Sequence, residues 1–133
     1  VFALQVGQPL KILNSDGVLH NVHALPKVNG QFNLAMPGTR KEAEHKFEKV
    51  EPNAFPVKCD VHPWMTAHVS VFDHPYFAVT QDDGKYKINV DLPAGTYEIE
   101  AWHEKLGSKV EKVTVADGET KTVDFKFTAP GGN

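Results

Sequence analysis

An all-β protein is predicted by two features of this 133-residue sequence. Apolar side chains recur with a period of two almost throughout, and turn-forming pairs interrupt them at short intervals. The alternation opens with Phe2, Leu4 and Val6 and passes Gly7 and Pro9 to Leu10 and Leu13. It resumes over residues 55–58, 67–72, 86–90, 97–101, 109–115 and 122–127. Between the runs stand Asp16-Gly17, Asn29-Gly30, Pro37-Gly38, Asp83-Gly84, Pro93-Ala94-Gly95 and Asp117-Gly118. Short strands punctuated in this way read as a sandwich or barrel.

Thr39–Lys49 departs from the pattern. It is rich in Lys, Glu and Ala, which are good helix formers, yet Ala43 and Phe47 four apart make only a thin helical stripe. A short helix and a charged edge strand or loop both stay open.

The character of the chain changes near residue 73. The only cysteine, both methionines and five of the seven histidines precede it, among irregularly placed prolines. Evenly spaced, charge-alternating runs follow it. Asp73-His74-Pro75 is the expected joint, because proline restricts its predecessor and interrupts strand pairing. Two units are expected, residues 1–72 and 73–133, the second ending in a Gly-Gly-Asn tail.

Composition excludes several function classes. A net charge of −3 with mixed signs argues against a nucleic-acid surface. No stretch approaches the roughly 18 apolar residues of a membrane span, so no transmembrane segment is expected. A single cysteine rules out an internal disulfide, leaving Cys59 as a packing residue, a nucleophile or a metal ligand.

Its neighbourhood favours the last. Residues 59–65 read CDVHPWM, with His62 three residues after Cys59 and Met65 three further on. Thiolate, imidazole and thioether can converge on one ion if the loop turns tightly, which Pro63 promotes. Soft sulfur with imidazole suits copper or zinc, and structural zinc has little use for a thioether. Neither a buried apolar cysteine nor a Cys–His nucleophile accounts for Met65. A second imidazole must come from upstream, where LHNVH offers His20 and His23. On a strand these two face opposite ways, and spacing alone does not choose between them.

VGQPLKILNSDGVLHNVH and CDVHPWM together resemble the cupredoxins, most closely the amicyanin-like group with its short Cys-x-x-His-Pro-aromatic-Met loop. The resemblance covers roughly residues 5–72. It implies a Greek-key sandwich with a type 1 copper held by His20, Cys59 and His62, with Met65 as the axial ligand. It also implies that Asn21 ties the two ligand loops together and that Pro63 and Trp64 belong to an apolar patch where redox partners dock. Cupredoxins carry a strand or two before the segment that begins here near Val6. The expectation is therefore an incomplete sheet edge, open to another chain or to residues upstream.

DGKYKINVDLPAGTYEIEAWHEKLG is similar to the transthyretin-like, carboxypeptidase-regulatory-like sandwich modules. The resemblance implies a small β-sandwich without catalytic chemistry, with Tyr86, Ile88, Val90, Tyr97, Ile99 and Ala101 facing its core. No nucleophilic triad order or phosphate-cradling loop occurs in it. Of the remaining histidines, His45 is expected in solvent. His23 and His68 are expected as satisfied strand residues, and His74 marks the joint. His103 beside Glu104 is a weaker candidate for a second metal site.

The resulting expectation is one-electron transfer through a single mononuclear copper, between a protein donor and a protein acceptor. No enzymatic activity is expected, because four ligands leave no open position. Cupredoxins work mostly in the periplasm or outside the cell, and that location is expected here. A copper carrier or store, and a purely structural interaction module, are the rival classes.

Overall fold

The computed structural model describes residues 1–130; the Gly-Gly-Asn tail lies outside the described residues. Among them are nine strands and no helix, so nothing helical is long and apolar enough to cross a membrane. The strands are β1 (Phe2–Gln5), β2 (Pro9–Leu13), β3 (His20–Ala24), β4 (Phe32–Met36), β5 (Glu42–Lys46), β6 (Phe55–Lys58), β7 (Thr66–Phe72), β8 (Gly95–His103) and β9 (Gly107–Val115). The protein is all-β. Its contacts divide the chain after Ile88, so residues 73–88 group with the first unit and the expected joint at Asp73–Pro75 lies inside it. The Phe72 ring stacks on Phe77 at 4.9 Å and approaches His74 at 5.3 Å.

In the first unit a five-stranded sheet runs β1-β7-β6-β3-β4, and β2 pairs with β5 in a second, two-stranded sheet. Alternation places Leu4, Ala24, Phe55, Val69 and Val71 on the inner face of the larger sheet. Leu10 of β2 and Phe47, just past β5, pack against them and close a sandwich. Phe47 is 1% exposed and meets Phe55 edge-on at 5.4 Å. The first residues of the chain are part of this architecture. β1 runs parallel to β7, from Phe2 opposite Val69 to Gln5 opposite Phe72, and forms the sheet's edge.

Thr39–Lys49, open between helix and strand in the sequence, contains β5. Ala43, His45 and Phe47 turn inward while Glu42, Glu44 and Lys46 face solvent, a period of two. Pairing with β2, from Pro9 opposite Lys46 to Leu13 opposite Glu42, overrides the helical propensity of these residues. His45 is consequently not solvated, as expected from its charged surroundings, but half-buried between Phe32 (4.0 Å) and Phe47 (4.8 Å). Burial pushes its pKa down.

A second feature braces this unit away from the sheets. Glu51 is 4% exposed, and its carboxylate accepts the backbone N–H groups of Lys27, Val28 and Asn29 as well as the Asn29 side-chain amide. Asn29 in turn accepts the backbone N–H of Glu48 and Lys49.

In the second unit β8 and β9 form a nine-pair antiparallel hairpin, from Gly95 opposite Val115 to His103 opposite Gly107. At the turn His103 Nδ1 accepts from the backbone of Lys105 and Leu106, and Gly107 takes φ 81°, which only glycine adopts without strain. Tyr97, Ile99 and Ala101 are among the half-buried members of β8, with Gly95, Trp102 and His103. The runs expected as strands over residues 86–90 and 122–127 do not form strands. Their burial still alternates, with Tyr86, Ile88, Val123, Phe125 and Phe127 half-buried. Side-chain patterning is thus present in segments that are not strands.

Candidate metal centre

Three elements build the site. β6 and β7 pair up to Lys58 opposite Thr66, so residues 59–65 form their connecting loop. That loop closes on itself through the Cys59 N–H to the Met65 carbonyl (3.2 Å) and the Met65 N–H to the His62 carbonyl (2.9 Å). β3, antiparallel to β6, brings His20 to the same place. Cys59 Sγ lies 3.9 Å from His20 Nδ1 and 3.5 Å from His62 Nδ1, and the three atoms lie within 4.8 Å of one another. The two imidazole rings are 4.7 Å apart, tilted by 49°.

These separations can be tested against a metal. Bonds of about 2.3 Å to sulfur and about 2.05 Å to nitrogen, at tetrahedral to trigonal angles, place a sulfur and a nitrogen donor about 3.5–3.8 Å apart. The observed sulfur–nitrogen distances bracket that range, so the sulfur stands at a metal-compatible separation from each imidazole nitrogen.

Electrostatics prepares the thiol. Cys59 is 5% exposed, and burial alone would push its pKa up. Hydrogen bonds from the Asn21 backbone, both imidazoles and the His62 backbone outweigh burial and bring it down to about 6. A thiolate, the form that binds metal, is therefore favoured at neutral pH. His20 is pushed the other way, its pKa raised first by its hydrogen bond to Asp16 and then by Cys59.

Asn21 bridges β3 and the ligand loop. Its Oδ1 accepts from the backbone of Asp60 (2.6 Å) and Val61 (3.3 Å), while its Nδ2 donates to Asp60 Oδ2 and Asn33 Oδ1, both at 2.9 Å. His23, two residues on and therefore on Asn21's face of β3, turns to Asp60 at 3.2 Å. Its hydrogen bond is the largest cause holding the Asp60 carboxyl below its ordinary pKa. Between the two upstream histidines, then, His20 is the one brought to Cys59.

Met65 lines the same open cavity as His20 and Cys59, together with Trp64 and the buried Met36. Trp64 is 77% exposed, with its ring edge-on to His62 at 5.2 Å, and Pro63 beside it is also exposed. His68 lies on β7 outside the cluster, and among the described residues no group of three metal-ligating side chains includes His23, His68 or His103.

Two participants were not singled out from the sequence. Asp16, legible only as part of a turn, places Oδ2 2.7 Å from His20 Nε2. Asp60 collects Asn21, His23 and Asn33. The period of two does put Asn21 and His23 on one face, but nothing local reveals an acidic partner 37 residues beyond His23.

Fold and site together define an all-β protein with a candidate His–Cys–His metal centre. By sequence, the chain belongs to the carboxypeptidase regulatory-like domain family, whose model matches residues 61–128, starting within the ligand loop. Among solved structures it is similar to a novel purple cupredoxin from Nitrosopumilus maritimus, with 27% identity and a TM-score of 0.42, over 53% of this chain and 75% of that one. No curated protein matches the chain.

Proposed function

We propose that this chain is a type 1 copper electron-transfer protein, relaying one electron between a donor and an acceptor protein. The observation that carries the reading is the convergence of one thiolate sulfur and two imidazole nitrogens at metal-compatible separations, on a loop braced to the adjacent strand. Two imidazoles with a thiolate, and a thioether lining the same cavity, match the donor set of blue-copper sites. His20 Nδ1, Cys59 Sγ, His62 Nδ1 and the Met65 thioether would hold the ion, and bound copper supplies the Cu(II)/Cu(I) couple.

The chain's own residues do the rest. Asn21 keeps the ligand loop against β3, so the donors have little freedom to reorganise when the charge changes. Burial of Cys59 limits water at the sulfur. Trp64 and Pro63, beside His62, offer an exposed apolar surface for a small, transient redox encounter. No bond-breaking step is assigned to the protein. The same reading places it in the periplasm or outside the cell, and leaves the β1 edge open to pairing with another chain.

A copper carrier is the second reading, favoured by the 42% exposure of Met65, which would ease ligand exchange. Repeated oxidation and reduction of the copper-loaded protein in the presence of a Cu(I) chelator separates the two. An electron carrier retains its copper through many cycles; loss of the metal within the first cycles would overturn electron transfer in favour of carriage.

A further inference from the structure

We propose that Asp16 is a positioning residue of this centre, orienting His20 for coordination through Nδ1 and favouring the higher charge of the bound ion. An imidazole that ligates through Nδ1 carries its remaining proton on Nε2, and that proton needs an acceptor. In this protein the acceptor is an ionised side chain, Asp16 Oδ2, at 2.7 Å. A carboxylate in this place raises the basicity of the ligating nitrogen as well as fixing the ring.

The loop carrying Asp16 is built for that aim. Asp16 Oδ1 accepts the Val18 N–H at 3.2 Å, a local turn that fixes the carboxylate's direction, and Gly17 between them takes φ 76°. Below the loop, the buried Asn14 donates Nδ2 to the Val18 and Met36 carbonyls, both at 2.9 Å, and its own N–H bonds the Lys41 carbonyl. Asn14 Oδ1 is buried with no partner among the described residues, a cost accepted for holding the loop down. Gly38 lies so close that any side chain there would collide with the Gly17 carbonyl. The loop is thus clamped from two sides, and its acidic end points at the ligand.

The potential-setting part of this proposal rests on the copper reading; the positioning part does not, and the test keeps them apart. Wild type, Asp16→Asn and Asp16→Ala are each titrated with Zn(II), a redox-inert probe of the same donors, and with Cu(II), followed by measurement of the reduction potential. Asn keeps the turn and an acceptor oxygen but loses the charge, whereas Ala loses both.

The expected order of Zn(II) affinity is wild type, Asp16→Asn, Asp16→Ala, with the last weaker by about tenfold or more. The potential rises in both variants. A tenfold loss of Cu(II) affinity relative to Cu(I) corresponds to about 59 mV. Zn(II) affinities within twofold across all three proteins overturn the positioning role. An unmoved potential with copper bound overturns the charge effect. Absence of a thiolate-to-copper band in wild type would refute the copper reading itself, while the Zn(II) series still decides whether Asp16 positions His20.

Discussion

Replacing Asn21 with alanine removes the cross-brace between β3 and the ligand loop and leaves every proposed ligand in place. Four hydrogen bonds disappear: two accepted from the Asp60 and Val61 backbone, one donated to the Asp60 carboxylate and one to Asn33. Neutral bonds contribute about 0.5–1.5 kcal/mol each and a bond to a charge about 1.5–3 kcal/mol. The loop is exposed enough for water to take over most of them, so the net loss falls to about 1.5 kcal/mol. Expressed in ligand preorganisation, that is about a tenfold loss of metal affinity. Two assays on the metal-free protein read it. Urea unfolding gives the stability change, and thiolate absorbance against pH gives the Cys59 pKa. With its supporting loop loosened, the thiol should climb from about 6 toward the ordinary cysteine value. An Asn21→Ala protein with unchanged stability and an unchanged thiol pKa would refute the idea that this bridge holds the site together.

Other predictions follow from the same physics. Glu51→Gln should destabilise the first unit by about 1–3 kcal/mol at neutral pH, because an amide offers one acceptor oxygen to donors that now share a carboxylate. Burial would raise the Glu51 pKa, but these donors hold it below its ordinary value, so its stabilisation is present above the unfolded-state pKa and is lost as pH falls through the folded one. The gap between wild type and Glu51→Gln in urea melts should therefore close in acid; a gap constant down to pH 3 would contradict this. Gly38→Ala should cost about 1–3 kcal/mol in thermal unfolding, through displacement of the loop at Gly17. Trp64→Ala should leave folding and copper uptake unchanged yet slow electron self-exchange by about tenfold, the loss of one aromatic anchor at a contact surface.

Much of the site was legible because its ligands are local. Cys59, His62 and Met65 fall within seven residues, and the loop they share is closed by its own backbone hydrogen bonds. Spacing alone left His20 and His23 open and only the resemblance chose His20; physically the choice depends on which face of β3 turns toward Cys59 and which toward Asp60. Asp16 was hidden because its role is through space, across a turn that looks like any other Asp-Gly. The fold was legible where burial is two-sided and alternation strong, as in β7, and least so where propensity and pairing disagree. In Glu42–Lys46 helix-forming residues yield to a partner strand far upstream, from Pro9 opposite Lys46 to Leu13 opposite Glu42. Over residues 86–90 and 122–127 the alternation of burial holds but the expected strands do not form, since periodicity says which faces are apolar and not which segments pair.

The most direct test of the copper centre is titration of the reduced, metal-free protein with Cu(II), followed by visible absorption and EPR, with Cys59→Ala alongside. The predicted result is an intense thiolate-to-copper band that saturates at one equivalent in wild type and is absent from Cys59→Ala. Copper binding that produces no such band, or one that survives the loss of Cys59, would contradict the assignment of His20, Cys59 and His62 as its ligands.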